Sequence, residues 1–578
     1  LVASDDRAEA WAARRILERM DVALWRDQVL TSKNPRLLVE GGLALVIADP
    51  TRENALAVLE QVHKLMGGFV SDRDFIDMLR VMQVAIHRGQ IQPDEIPGLK
   101  RQLAEEFPAG DPLMNRELAR LLVYLQESSI IDRYLAYLKS DADDVDKLHL
   151  ALHLRFLQSG WTVDQRLALL SYYEEANQRK GGGSYARYVI NATRDFCQGL
   201  NEDEAQKVVA QGHKWPNAAL GALYRMPQRL DEPTLASLIA LDEKLSAMKG
   251  DSIQRLQVGL VAVLARSGDV DSMTYLRKVW DESPERRPVV AVGLAQHPSG
   301  ENWSYVLRSL PVLEPLAATG VCRKLTDVEQ APEEAEPYRQ VILLGLKMRQ
   351  KEPEKEDAAA PALDLLYFWT GEELATDQSE DKQLAAWQEW FAGKFPNEPE
   401  AKLPVAAPTA KYSFDELLAH LSSDEAKGQA SRGAAIFTRA QCIKCHRFEG
   451  QGESFGPDLT AVANRFTRKE LLESIVYPSH MISSQYASKT IRTTDGRTIA
   501  GLVIPGAAGE TVVVQPNGEK AVLAQGEIEE IKPSKTSSMP AGLLDPLTLE
   551  EIADLFTYLQ GPARPGALSR RPVITEPK

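Results

Sequence analysis

Cys442-Ile443-Lys444-Cys445-His446 is the stretch that decides how this chain is read. Two thiols three positions apart can reach the two vinyl groups on one edge of a porphyrin, and the following imidazole then lies beneath the ring. The C-x-x-C-H run is therefore the attachment pattern of c-type haem. It predicts one covalent haem c on Cys442 and Cys445, with His446 as an iron ligand. A structural zinc site would need four ligands, and the other two cysteines, Cys197 and Cys322, stand isolated far upstream. A thioredoxin-like dithiol would open a helix inside a strand–helix–strand pattern, and none surrounds residues 442–446.

Outward from the motif, periodicity predicts helices over 414–421, 428–439, 468–476 and 548–559. Between 486 and 534 the period switches to two. Strands over 486–493 and 498–504 flank Asp495-Gly496, strands over 511–515 and 520–524 flank Asn517-Gly518, and a fifth spans 528–531. Asp-Gly and Asn-Gly between alternating runs signal hairpins. A small sheet or barrel is thus inserted into a helical domain, to cover a haem face or offer a docking surface.

Helices flanking a C-x-x-C-H run resemble the small cytochrome c fold. The order of motifs is more specific: Arg432-Gly433-Ala434-Ala435-Ile436-Phe437, the C-x-x-C-H run, Gly456-Pro457-Asp458-Leu459, Glu473-Ser474-Ile475 with Pro478-Ser479, Thr494-Asp495-Gly496-Arg497, and Met539-Pro540. Together these resemble the planctomycete-type haem-binding domain, a c-type cytochrome domain with an internal insert. The resemblance covers about 411–562. It implies that the Pro457 carbonyl accepts from His446 Nδ1–H and so orients the ligand. It also implies a thioether ligand from a loop just before the last helix, where Met539 stands. His480 and Met481 are the alternatives for that sixth position, and an open site is the fourth. Members of that family often carry an N-terminal β-propeller regarded as a membrane-bound dehydrogenase. Nothing here reads as propeller blades, so that activity is not carried over.

Upstream, residues 1 to about 350 read as helix after helix, with Asp, Ser or Thr at starts and Gly at stops. The second helices of successive pairs begin near Thr51, Asp94, Ser129, Thr162, Asn201, Asp231, Asp269 and Gly300. That loose spacing suits HEAT-like repeats of roughly 40 residues, which stack because one pair cannot bury its apolar stripe alone. An aromatic cluster, Trp369-Thr370-Gly371 with Trp387 and Trp390-Phe391, reads as a packed cap. Pro396 through Pro408 reads as a linker. The expected organisation is a HEAT-like helical domain over 1–395, a linker over 396–410, a cytochrome domain over 411–562 with the β insert at 486–534, and a disordered tail over 563–578. The fold class is mainly α: an α-solenoid followed by a cytochrome c-like domain carrying the insert. His149 and His153 share a helix face but lack an acidic partner in an H-E-x-x-H pattern, so a metal site there is weakly signalled. Cys197 and Cys322, in apolar helical runs, read as buried free thiols.

A hydrophobic fraction of 44% and a charged fraction of 26% are ordinary for a soluble protein. No apolar run has the length needed to span a membrane. The net charge of −15 lies mostly upstream of the cytochrome region, and an acidic chain without basic clusters excludes nucleic acid as a partner. No signal peptide is visible at Leu1. Haem attachment is extracytoplasmic in bacteria, so the expectation is a periplasmic or secreted chain from a longer precursor. The expected function is one-electron transfer to a redox partner protein, with the helical repeats as docking scaffold and homo-oligomerisation left open. The alternatives are a haem peroxidase or electron-accepting part of a dehydrogenase, and an interaction scaffold with a structural or sensory haem.

Overall fold

Side-chain caps mark where many of the helices begin. In the computed structural model, which describes residues 1–560 except 180, 183, 406–408, 424–427, 481 and 483–485, Thr51, Thr162, Asn201 and Asp231 each accept a backbone N–H from the first turn of the helix that follows. Asp269 and Gly300 precede the helices Val270–Glu282 and Glu301–Ser309 without a side-chain cap. Near Asp94 and Ser129 a short 3₁₀ turn intervenes, and the α-helices start at Pro97 and Ile131. The expected tail at 563–578 and the alternative ligand Met481 lie outside the described residues. No described helix is long and apolar enough to cross a membrane.

The chain forms two compact units, Leu1–Val263 and Leu264–Lys578. In the first, helices pack mainly on near neighbours in the chain, as Asp72–Gly89 does on Pro35–Ala48, Arg52–Met66 and Pro112–Tyr124, burying rows such as Leu38, Leu45, Leu59, Met78, Leu79 and Met82. Cys197 is buried there as a free thiol, and burial pushes it up to about 12. His153 Nδ1 lies 2.8 Å from the carbonyl of His149 and the rings stand 4.5 Å apart. Burial holds both histidines below their ordinary range, His149 at about 4, so the pair is neutral at pH 7.

The second unit starts with helices that follow the same neighbour-on-neighbour packing. They include Pro315–Leu325, Ala335–Lys351, Ala360–Thr370 and Glu380–Lys394. Cys322 is buried and free. The aromatic cluster is packed: Tyr338 lies 5.5 Å from Trp369 and 5.7 Å from Trp390, and Trp387 and Phe391 are buried. Within the expected linker, Ala401 is buried and its carbonyl accepts from Gln388 at 2.6 Å, whereas Val405 is exposed.

Four helices, Phe414–Ser422, Ala430–Arg439, Arg468–Val476 and Leu549–Leu559, surround a core of Leu417, Ile436, Phe437, Leu472, Ile552, Leu555, Phe556 and Leu559. Gly433 lets two of them cross closely, because a Cβ there would collide with the Asp554 carbonyl and Tyr558 Cβ. At the same crossing Asp554 accepts from Arg432 at 2.6 and 3.0 Å and from the Gln429 N–H at 2.6 Å. The helical array holds this domain directly. Arg287, stacked 4.5 Å over Trp280, donates to the Arg465 carbonyl at 2.6 Å, and Lys469 pairs with Glu314.

The insert is an antiparallel sheet of β1 (Ala487–Thr493), β2 (Thr498–Pro505), β3 (Thr511–Val514), β4 (Lys520–Leu523) and β5 (Ile528–Ser537), in the order β4-β3-β2-β1-β5. Its core is Ile491, Val513 and Leu523. Gly496 and Gly518 turn the hairpins at φ 86° and 84°, conformations that cost glycine little. Since β4 and β5 end the order, the sheet is open and the barrel alternative falls away. Alternation predicts a fifth strand that stops at 531, yet the strand runs to Ser537. Its outer residues, Glu529, Glu530, Lys532 and Lys535, are charged and Pro533 interrupts them, so alternation fades although backbone pairing to β1 continues. An edge strand tolerates both. The insert therefore leads straight into the Met539 segment.

Candidate haem site

Helix Ala430–Arg439 ends at Ala440, Gln441 takes a left-handed turn at φ 63°, and a single 3₁₀ turn, Cys442–Lys444, carries the first thiol. The His446 N–H donates to the Cys442 carbonyl at 2.9 Å, which holds the motif in one tight turn. Cys442, Cys445 and His446 line a cavity of about 840 Å³, within the ordinary range for a cofactor site. Phe437, Phe455, Leu459, Leu471, Leu555 and Leu559 supply apolar walls, and Leu502 and Val514 of the insert supply another. Met539 lines the same cavity.

Nδ1 of His446 lies 2.9 Å from the Pro457 carbonyl. That contact selects the tautomer with the proton on Nδ1 and the lone pair on Nε2. Burial lowers the His446 pKa, against the opposing effect of the Pro457 bond, so the ring is neutral at pH 7 as an iron ligand must be. Gly456 packs on the same ring, and a Cβ there would sit 2.8 Å from Cε1. Burial raises both thiols, Cys442 to about 11. A reactive dithiol needs the opposite shift, so the two cysteines suit a covalent anchor. Among the described residues no group of three or more His, Cys, Asp or Glu is arranged to hold a bare metal ion.

Residues 430–494 match the family model for cytochrome c. The match spans the motif helix, the C-x-x-C-H run, Pro457 and β1, and it implies a covalently bound haem c and single-electron chemistry. It ends before Met539 and the last helix. A comparison with curated proteins gives no match. The residues fit the group: two thiols and a neutral imidazole line a largely apolar cavity large enough for a cofactor.

Of the candidates for the sixth iron position, Met539 lines both the His446 cavity and a neighbouring cavity of about 770 Å³, whereas His480 lines only the neighbouring one. There its Nδ1 lies 3.3 Å from Arg339 Nη2, and its Nε2 lies 3.8 Å from Glu473 Oε1. Burial, then the charges of Arg339 and Lys347, hold it at about 4. Met481 lies outside the described residues.

Sequence reasoning missed several lining residues. Glu336, Arg339, Glu398 and Pro399 come from the helical array and the segment after it. The available signal was one charge, Arg339, set beside the apolar run Val341-Ile342-Leu343-Leu344. The hairpin between β3 and β4 also leans on the motif. Lys520 Nζ sits 4.4 Å over the Phe455 ring, and a Cβ on Gly518 would lie 3.4 Å from Lys444 Cδ.

Proposed function

We propose that this chain is an extracytoplasmic mono-haem c-type cytochrome that passes single electrons, with its HEAT-like helical array as the scaffold for a redox partner protein. The observation that carries this reading is the His446–Pro457 hydrogen bond at 2.9 Å, on a cavity that Cys442, Cys445 and Met539 also line. Cys442 and Cys445 would hold the group covalently, His446 Nε2 would ligate iron on one side, and Met539 Sδ on the other. Bound there, haem c supplies reversible one-electron iron chemistry. The protein's part is to hold and to exclude. The Pro457 carbonyl stops the imidazole from turning, which keeps rearrangement between redox states small. Phe437, Phe455, Leu471 and Leu555 keep water from the cavity. The neighbour-on-neighbour packing in both units supports the repeat reading.

A peroxidase would need an exchangeable iron position with an acid–base group beside it. His480 is engaged by Arg339 in the neighbouring cavity, which favours electron transfer. The test is the spectrum of the haem-loaded chain with one haem per chain by mass. A low-spin His/Met signature lost in Met539→Ala supports the reading. High-spin iron that binds cyanide rapidly in the resting protein would sink it. Export-dependent haem attachment in a bacterial host checks the location.

A further inference from the structure

Arg339 is the largest fully buried side chain among the described residues, with 1% of its surface exposed. It belongs to the helical array, on the helix Ala335–Lys351, yet it lines both the His446 cavity and the neighbouring one. Its guanidinium ties three segments together. Nε donates to the Glu400 carbonyl at 3.1 Å, Nη1 to Glu336 at 3.2 Å, and Nη2 to the His480 carbonyl at 2.5 Å. A buried guanidinium is costly unless its donors are spent in this way.

What the bond to His480 holds is the more telling point. The residue before it, Ser479, accepts the Ser537 backbone N–H on its Oγ at 3.0 Å. Ser537 Oγ in turn accepts the Met539 N–H at 3.1 Å. Between them, Ser538 Oγ lies 2.6 Å from Ser488 Oγ on β1. Short hydrogen bonds thus run from the array through 479–480 to the backbone of the methionine.

We propose that Arg339 is a positioning residue for Met539, so that the helical array controls ligation at the sixth iron position. The proposal rests on the Met539 ligand reading above. Without the guanidinium, the His480 and Glu400 carbonyls lose a charged donor in a buried place, and segment 478–480 can drift and take Ser537 with it. Met539 then spends more time off the iron, and an added ligand competes better.

The experiment uses the full haem-loaded chain and titrates imidazole into the ferric protein, while the thioether–iron band and the reduction potential are recorded. Arg339→Gln should retain covalent haem, weaken the thioether band, lower the potential and bind imidazole about tenfold or more tightly, the ratio that one hydrogen bond from a charged donor is worth. Placed on Met539→Ala, the same substitution should add nothing further to imidazole affinity. Ser479→Ala, a small change that carries the test if Arg339→Gln fails to fold, should shift the band and the affinity in the same direction. Wild-type band and affinity in Ser479→Ala and in any folded Arg339→Gln would overturn the positioning role, as would an equal effect of Arg339→Gln on the Met539→Ala background. A Met539→Ala protein with an unchanged band would instead overturn the ligand reading beneath it.

Discussion

The Pro457 carbonyl lies 2.9 Å from His446 Nδ1, and Gly456, one residue earlier, closes on the same imidazole from the side. The ring is held by an acceptor and confined by a neighbour with no side chain. Gly456→Ala should push the imidazole off that acceptor. Forcing a methyl group into filled space costs about 1–3 kcal/mol, so unfolding of the haem-loaded chain followed by haem absorbance should show a loss of that order, with a lowered low-spin fraction. Unchanged stability and spectrum would show that the wall is softer than it stands.

Cys442 and Cys445 should each anchor one edge of the group. Cys442→Ala with Cys445→Ala should abolish haem that survives denaturing electrophoresis, and either single change should leave a weaker covalent band. Mass spectrometry of the denatured chain reads this directly. Retained covalent haem in the double variant would refute attachment at this motif.

Asp554 and Glu174 should bend the pH–stability curve in opposite directions. At Asp554 burial works against ionisation, but hydrogen bonds from Arg432 and from the Gln429 N–H, with the Arg432 charge, hold the carboxyl below its ordinary range. A depressed acid contributes stability above its unfolded value near about 4, and loses it as pH falls through the folded value. Asp554→Asn should cost about 2 kcal/mol at neutral pH and flatten the acid limb of denaturant unfolding.

Glu174 is the reverse case. Burial raises its carboxyl, although the Asn217 amide and the Ala218 N–H donate to it at 3.0 and 2.7 Å. A raised acid contributes most below its unfolded value, and stability declines as pH rises from about 4 through the folded value. Glu174→Gln should remove that decline in the unit Leu1–Val263. A decline unchanged by the substitution would assign it to another group.

Phe556 is fully buried between the haem-domain helices, whereas Ile531 on β5 is 44% exposed. Phe556→Ala should cost about 3–5 kcal/mol, while Ile531→Thr should stay within about 0.5 kcal/mol. Equal losses, measured by denaturant midpoint, would mean that β5 is covered by something else.

Much of the fold was legible because its signals are local. Thr51, Thr162, Asn201 and Asp231 cap helices within three residues, and Asp495-Gly496 and Asn517-Gly518 turn hairpins on their own conformational freedom. The end of β5 was not legible. Its charged outer residues satisfy no apolar pattern, and only pairing with β1 shows that they continue a strand. Nor was the part of Arg339, whose partner His480 is far along the chain.

For the site, the sequence alone pointed to the anchoring chemistry proposed here, since the spacing of Cys442, Cys445 and His446 is preserved by the backbone in any fold that carries the motif. Tertiary structure decided which cavities His480 and Met539 line: His480, held by a buried guanidinium, lines only the neighbouring cavity, while Met539, just past the end of an edge strand, lines both. Both outcomes follow from distant groups that must satisfy each other's hydrogen bonds once water is gone, and no local pattern records that demand.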